Sequence, residues 1–438
     1  MPKKTRRILF LIAVVAFVAT GFVLTMYARG YRWDFKNNKF LLVGAIYIEP
    51  ANPENTQISV NNKLTDKLSA SLIKNLLPLR KYDVKVAKAD YQTWAKEFEI
   101  TPGLVVEAKN INLFPSELKT NIIWPNANIE DFTVSPNQEI IIAKTSKNEL
   151  LINFFPGGNN PSTITPLNFG DKTRTWAIGL SANSRGWSDN SQKLVFWRNT
   201  ALQARNKKTW YVWDSETKSL TDINNLYERK IVLKNPSATP LPKKFDAGKV
   251  IWLGNENLIA QIGKKLFQLD IKNETVTDLN LSDILDFDIE GNKIIALKSP
   301  DILLALDSSI QNITILGQAK FVPEKVLISP DESKIAYFNK NQIGVMWLKN
   351  TNNQPAKKNG DQDIILSDKN ITSFYWHSSN EYLVFVSDNK FYSSEIDIRG
   401  QVNLATWPNV ITVIGYIPKD QKLYILEDKT LKLLDQKF

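Results

Sequence analysis

The chain has 438 residues, 43% of them hydrophobic and 23% charged, a balance that excludes intrinsic disorder and leaves room for two or three folded units. It has no cysteine and one histidine, His377, which excludes disulfides, thiolate chemistry and nearly every zinc site or histidine-dependent triad. Part of the formal charge of +10 is the run Lys3, Lys4, Arg6 and Arg7, and the rest is interspersed with acidic residues, so no nucleic-acid partner is expected.

Ile8 to Met26 carry no charge and have the length needed to cross a bilayer. Basic residues crowd their amino end, and the positive-inside rule assigns 1–7 as a cytoplasmic tail, 8–27 as a transmembrane helix and 28–39 as a juxtamembrane linker. That makes the chain a single-pass protein of the cytoplasmic membrane, with its bulk outside. A cleaved signal peptide is the alternative, but Thr25-Met26-Tyr27-Ala28-Arg29-Gly30 has no clear small-x-small cleavage site. Gly30-Tyr31-Arg32-Trp33-Asp34 reads as an aromatic collar at the interface.

Short strands follow. Ala45 to Pro50 alternates, Asn52-Pro53-Glu54-Asn55 is a turn, Thr56 to Val60 alternates again, and Tyr82 to Val86 is another period-2 strand. Such a run predicts a small β-sandwich. The order Gly44-x-Ile46-x-Ile48, Pro53-Glu54-Asn55-Thr56, Ile58-x-Val60-Asn61-Asn62-Lys63 resembles the opening of a PEGA domain. Leu76 to Val86, Lys88 to Trp94 and Leu113-Phe114-Pro115 resemble its later strands, so the likeness covers 40–116. Asn55 and Leu79 stand where that family has glycine. The resemblance implies an envelope role and brings no catalytic residues.

From about Asn128 a phrase recurs seven times, best preserved as Ser329-Pro330-Asp331-Glu332-Ser333-Lys334-Ile335-Ala336-Tyr337. The other copies begin near Ser135, Ser188, Gly254, Glu290, Ser378 and Pro418. Each is a polar turn entering an apolar strand, and the mean spacing of about 47 residues is that of one four-stranded propeller blade. Trp210-Tyr211-Val212-Trp213-Asp214 resembles the Trp-Asp signature of WD-repeat propellers, and the Ser-Pro-Asp phrase resembles TolB-like propellers. The expected fold is therefore all-β: an amino-terminal helix, a PEGA-like sandwich at 40–116, and a propeller at 117–438 with seven blades, six or eight being the alternatives. Leu118 to Trp124 is the predicted closing strand, borrowed by the last blade to remove its free edge.

The densest aromatic and basic set is Arg174, Trp176, Arg185, Trp187, Trp197, Arg198, Arg205 and Trp210. Its functional reading is ligand binding, with rings stacking sugars and guanidinium groups pairing with anionic substituents. Its structural reading is that the rings fill the inter-blade core and the arginines lie over them. Asp286-Phe287-Asp288-Ile289-Glu290-Gly291-Asn292 starts like a calcium loop, but Leu297 stands at its twelfth position, and a strand and turn are expected. His377 reads as structural or exposed, and Asp361 with Asp363 as a loop pair. The insertions 200–208 and 230–248 are further candidate interaction loops. No P-loop, G-x-S-x-G or H-E-x-x-H occurs, so no catalytic residue, metal or cofactor is expected.

These features point to a membrane-anchored envelope protein whose propeller binds a protein or an anionic surface polysaccharide. The rival readings are a propeller glycosidase or lyase acting at the central channel, and a spacer without a ligand.

Overall fold

The computed structural model describes residues 2–434 except 66–70, 125–127, 148, 155–164, 167–175, 181–183, 201–207, 229–241, 308–311, 369, 409–410 and 418–421. The chain divides into two compact units. One comprises 1–117 with the later stretches 351–356 and 397–403, and the other 118–350, 357–396 and 404–438.

The first unit opens with a helix, Lys3–Ala28, of 26 residues. At 1.5 Å per residue it is about 39 Å long, more than a hydrocarbon core needs. None of its residues is buried, and among the described residues it is the one helix long and apolar enough to cross a membrane. It begins five residues before the predicted span because the basic run continues the helix. It stops where Gly30 adopts φ +87°. Residues 28–39, read from the sequence as a linker, instead supply a strand. Tyr31–Asp34 pairs antiparallel with Lys39–Leu42.

Two sheets follow. Gly44–Pro50 lies between Ser71–Leu76 and Val105–Ile111, while Gln57–Val60, Lys63–Leu64, Lys81–Ala87 and Trp94–Glu99 form the second sheet. Alternate residues of both face one core, including Ile46, Ile48, Val84, Val86 and Phe98. Lys96 takes its place on that inward face between Trp94 and Phe98, its side chain fully covered. Its Nζ donates to the Asp397 carbonyl at 2.6 Å and lies 3.4 Å from the Asp397 carboxylate. Arg399 in turn holds Asp397 at 2.7 Å and donates to the Glu107 carbonyl at 2.8 Å. Burial works against the Asp397 charge, but the Arg399 hydrogen bonds and Lys96 keep its carboxyl below the usual range.

Asn55 and Leu79 both have φ +58°. For a leucine this left-handed backbone costs about 1–2 kcal/mol, and the Leu79 side chain is 67% exposed, so it recovers little by packing. Leu79→Gly is therefore expected to stabilise the first unit by about 0.5–1 kcal/mol, after the larger chain entropy of glycine is counted. An unchanged or lower denaturation midpoint would contradict the backbone assignment.

Among its described residues the second unit contains seven four-stranded antiparallel sheets. Their first strands are Ile129–Val134, Trp176–Leu180, Ala247–Leu253, Ile284–Glu290, Lys325–Ile328, Ile371–Trp376 and Ile411–Ile417, numbered here as sheets 1 to 7. Except for those of sheets 2 and 3, these strands neighbour one another in sequence order, and that of sheet 7 returns to that of sheet 1. Between sheets 2 and 3 the short 3-10 turn Ser184–Gly186 lies against the sheet 3 strand. Consecutive sheets share their apolar faces. Separate cores join sheets 7 and 1, 1 and 2, 2 and 3, 3 and 4, and 4 and 5. A cyclic order of four-stranded sheets with their cores between them is a β-propeller.

In four of the sheets the recurring phrase has one geometry, while the copies at Gly254 and Glu290 are tighter turns with glycine at positive φ. In sheets 1, 2 and 5, Ser135, Ser188 and Ser329 accept from the N–H five residues on and donate to Asn137, Asn190 and Asp331. The fourth residue, Gln138, Ser191 or Glu332, sits at positive φ. In sheet 6 the corresponding position is His377, whose Nδ1 lies 2.8 Å from Ser379 Oγ, and Asn380 takes the positive φ. His377 is thus a turn residue standing in for serine. The ring is buried and edge-on to Tyr382, so His377→Ser is expected to cost about 1 kcal/mol in lost packing while keeping a turn hydrogen bond, and His377→Ala about 1 kcal/mol more through the loss of that bond. Equal losses for both in urea denaturation would refute the equivalence.

Sheet 7 combines Ile411–Ile417, Lys422–Glu427 and Thr430–Leu434 with Thr120–Trp124, the predicted closing strand. Thr120 pairs with Leu434 and Ile122 with Lys432. The copy of the phrase at Pro418 to Asp420 lies outside the described residues, as do most of the insertions 200–208 and 230–248.

Candidate functional site

The described members of the aromatic and basic set point in different directions. Trp187 is 2% exposed, in the core between sheets 1 and 2, with its indole N–H on Thr133 Oγ1 at 3.1 Å and its ring edge-on to Trp213. Trp210 is 4% exposed in the core between sheets 2 and 3, donating to the Ala247 carbonyl at 2.9 Å. Neither presents a face to a ligand: strand alternation turns Trp210 inward, and Trp187, directly after the Ser184–Gly186 turn, faces the core between sheets 1 and 2. Trp197, across the ladder from Trp210, is half-buried at the margin of that core, with Lys208 Nζ 4.7 Å over its ring. Arg198 turns the other way, buried, with its guanidinium over Tyr211 at 5.7 Å. Trp176 occupies the first strand of sheet 2, but its side chain lies outside the description. Arg174 and Arg205 lie outside the described residues.

Arg185 goes elsewhere. It leaves the Ser184–Gly186 turn and reaches the first strand of sheet 4, where its guanidinium pairs with Glu290 at 2.6 Å and Asp288 at 3.3 Å and donates to the Ile289 carbonyl. Asp286, Asp288 and Glu290 share one strand face by simple alternation. Asp286 accepts from Lys249 Nζ at 2.8 Å and from the Val326 N–H at 2.9 Å, and Asp288 accepts from the Ile328 N–H at 2.9 Å. The apparent calcium loop is therefore a strand whose carboxylates tie the first strands of sheets 3, 4 and 5 to the turn of sheet 2.

Electrostatically this is a strained balance of three carboxylates against two cations. Burial pushes the Asp288 and Glu290 carboxyls above their usual range, and Arg185 pulls against that shift. Burial disfavours the Arg185 charge too, yet Asp288 and Glu290 hold it more firmly protonated than usual. Sequence reasoning missed this cluster as a unit. The spacing i, i+2, i+4 of acids in an apolar strand was the available signal, but their cation lies more than 100 residues earlier.

Asp131, on the first strand of sheet 1, is a second buried carboxyl. Burial raises it to about 6, against the Phe132 N–H at 2.9 Å and the more distant Lys144 charge. Its charge is felt by Tyr375 of sheet 6, whose phenol burial pushes well above its usual range. A carboxyl raised on folding adds stability below its unfolded value near 4, and that contribution is lost as pH rises through about 6. Asp131→Asn is expected to match the parent near pH 4 and to exceed it by about 2–3 kcal/mol at pH 7. Urea midpoints at the two values test this, and a difference that does not grow with pH would refute it.

Asp361 and Asp363 are not a loop pair, since Asp363 lies buried in the strand Gln362–Leu366, and both are engaged. Asp363 is 2.5 Å from Lys357 Nζ, and Asp361 accepts from the Lys358 N–H at 2.7 Å.

No family model matches the sequence, and no curated protein matches it. Among solved structures, the β-propeller domain of Myceliophteria thermophila Cps50 (Swd1) is 10% identical, with a TM-score of 0.48 over 72% of this chain and 99% of that one. PorZ, an essential surface component of the type-IX secretion system of Porphyromonas gingivalis, is 13% identical, with a TM-score of 0.45 over 73% of this chain and 38% of that one.

Proposed function

We propose that this is a membrane-anchored cell-envelope protein that presents a β-propeller outside the cytoplasmic membrane to bind a protein or an anionic surface polysaccharide. The observation that carries the reading is the helix Lys3–Ala28, apolar and without one buried residue. With Lys3, Lys4, Arg6 and Arg7 at its start, it would sit as an uncleaved single pass with the amino end inside. The PEGA reading of the first unit is supported by Asn55 and Leu79, which keep a left-handed backbone where that family has glycine.

Binding without catalysis fits the inner carboxylates, since Asp286, Asp288 and Glu290 are engaged by cations or backbone donors. Trp197 under Lys208 is the described part of the aromatic and basic set best placed to meet an anionic sugar. Protease added to intact spheroplasts should digest the propeller and spare the helix. Envelope pull-downs should then recover a protein or an anionic polymer, and lose it with Trp197→Ala. A propeller protected until lysis would overturn the topology, and an empty pull-down would overturn the binding role.

A second reading, a glycosidase or lyase acting on envelope polysaccharide, draws on Asp131, a carboxyl near 6 of the kind a general acid requires. Depolymerisation of envelope polysaccharide by the parent chain, abolished in Asp131→Asn, would favour it over the binding role.

A further inference from the structure

The hairpin Tyr31–Leu42 follows the apolar helix after two residues, and the helix end is stapled to it. The Arg32 guanidinium lies 3.4 Å over the Tyr27 ring and donates to the Tyr27 carbonyl at 2.8 Å. The hairpin tip is built with equal care. Asp34, 1% exposed, accepts from Asn37 at 2.7 Å, from the Lys36 N–H at 3.1 Å and from Arg80 at 2.5 Å. The hairpin's one acidic side chain is thus turned inward and neutralised, which leaves Lys36 and Lys39 as its exposed charges.

Beside them the tip shows apolar surface. Phe35 is 85% exposed and Trp33 40% exposed, the latter braced edge-on by Phe40 at 4.9 Å. A solvent-facing turn of this size would ordinarily carry small polar residues. Aromatic rings interleaved with lysines, held rigidly beside the end of an apolar helix, complement the headgroup layer of an anionic bilayer.

We propose that this hairpin is a lipid-contacting element lying along the membrane surface, with Phe35 and Trp33 at the acyl boundary and Lys36 and Lys39 against lipid phosphates. The proposal rests on the reading of Lys3–Ala28 as a spanning helix. About 13 Å of extended strand separates Tyr31 from Phe35 at 3.3 Å per residue, so only a hairpin lying near the membrane plane keeps its tip in the headgroup layer.

The absence of cysteine makes the test clean. Full-length Phe35→Cys, labelled with an environment-sensitive fluorophore, is reconstituted in phosphatidylcholine vesicles with and without about one-third phosphatidylglycerol, an anionic fraction sufficient to attract juxtamembrane lysines. Val15→Cys reports the helix in parallel. The expected result is blue-shifted emission at position 35, quenched by headgroup nitroxide lipids more strongly with phosphatidylglycerol, and returned toward the water value by Lys36→Glu/Lys39→Glu. Position 15 shielded but position 35 water-like in both membranes would overturn the hairpin proposal and leave the spanning helix standing. Equal quenching at position 35 in both membranes would overturn the anionic assignment. A water-accessible position 15 would overturn both readings together.

Discussion

Arg185→Met should destabilise the propeller by about 3–5 kcal/mol at pH 8, because it strands Asp288 and Glu290 in a buried site without their cation. Methionine keeps most of the side-chain volume, so packing alone cannot supply a loss of that size. The pH dependence separates the two causes. Burial already raises both carboxyls, and removing Arg185 raises them further. Protonation in acid then relieves the unpaired charge, so the gap between variant and parent should narrow as pH falls toward 5. Adding Asp288→Asn and Glu290→Gln to Arg185→Met should recover part of the loss at pH 8. A loss below about 1 kcal/mol, the ordinary range of an exposed ion pair, or one that is flat with pH, would show that the cluster is not a buried charge network.

The second large effect concerns the closing strand. Replacing Thr120–Trp124 with a Gly/Ser stretch of equal length removes one strand of sheet 7 and the packing of Ile123 on the core shared with sheet 1. Lost ladder hydrogen bonds and lost burial together amount to roughly 3–5 kcal/mol. The Thr430–Leu434 strand would also become a free edge open to pairing with other copies. Lower denaturation midpoints with concentration-dependent association in sedimentation are the expected outcome. A stable monomer with parent-like unfolding would show that the ring does not depend on this strand.

What could be read from the sequence was local. Ser329-Pro330-Asp331 and its relatives encode a turn in five or six consecutive residues, so their recurrence identified the sheets and even the strand that completes the last one. The substitution of His377 for serine was hidden because a ring nitrogen and a hydroxyl share an accepting role but not a residue type. The Arg185 cluster was hidden for another reason. Ion pairs join residues from different sheets, and nothing in the order of the chain marks Arg185 as the partner of Asp288. Trp210 was legible as an aromatic strand residue, while the side it faces follows from register. The hairpin at 31–42 passed for a linker because each of its strands has only four residues.

The pairing of Thr120 with Leu434 has a mechanical consequence. The segment that completes sheet 7 directly follows the first unit, and its leading residue lies opposite the trailing residue of the strand it pairs with. A load applied between residue 118 and the chain beyond Leu434 would therefore peel the two strands apart one pair at a time. A load applied between residue 118 and the turn at Asp428 would instead shear all their hydrogen bonds at once. The ring should open at much lower force in the first geometry than in the second, so the point at which this protein is gripped decides how much tension it withstands.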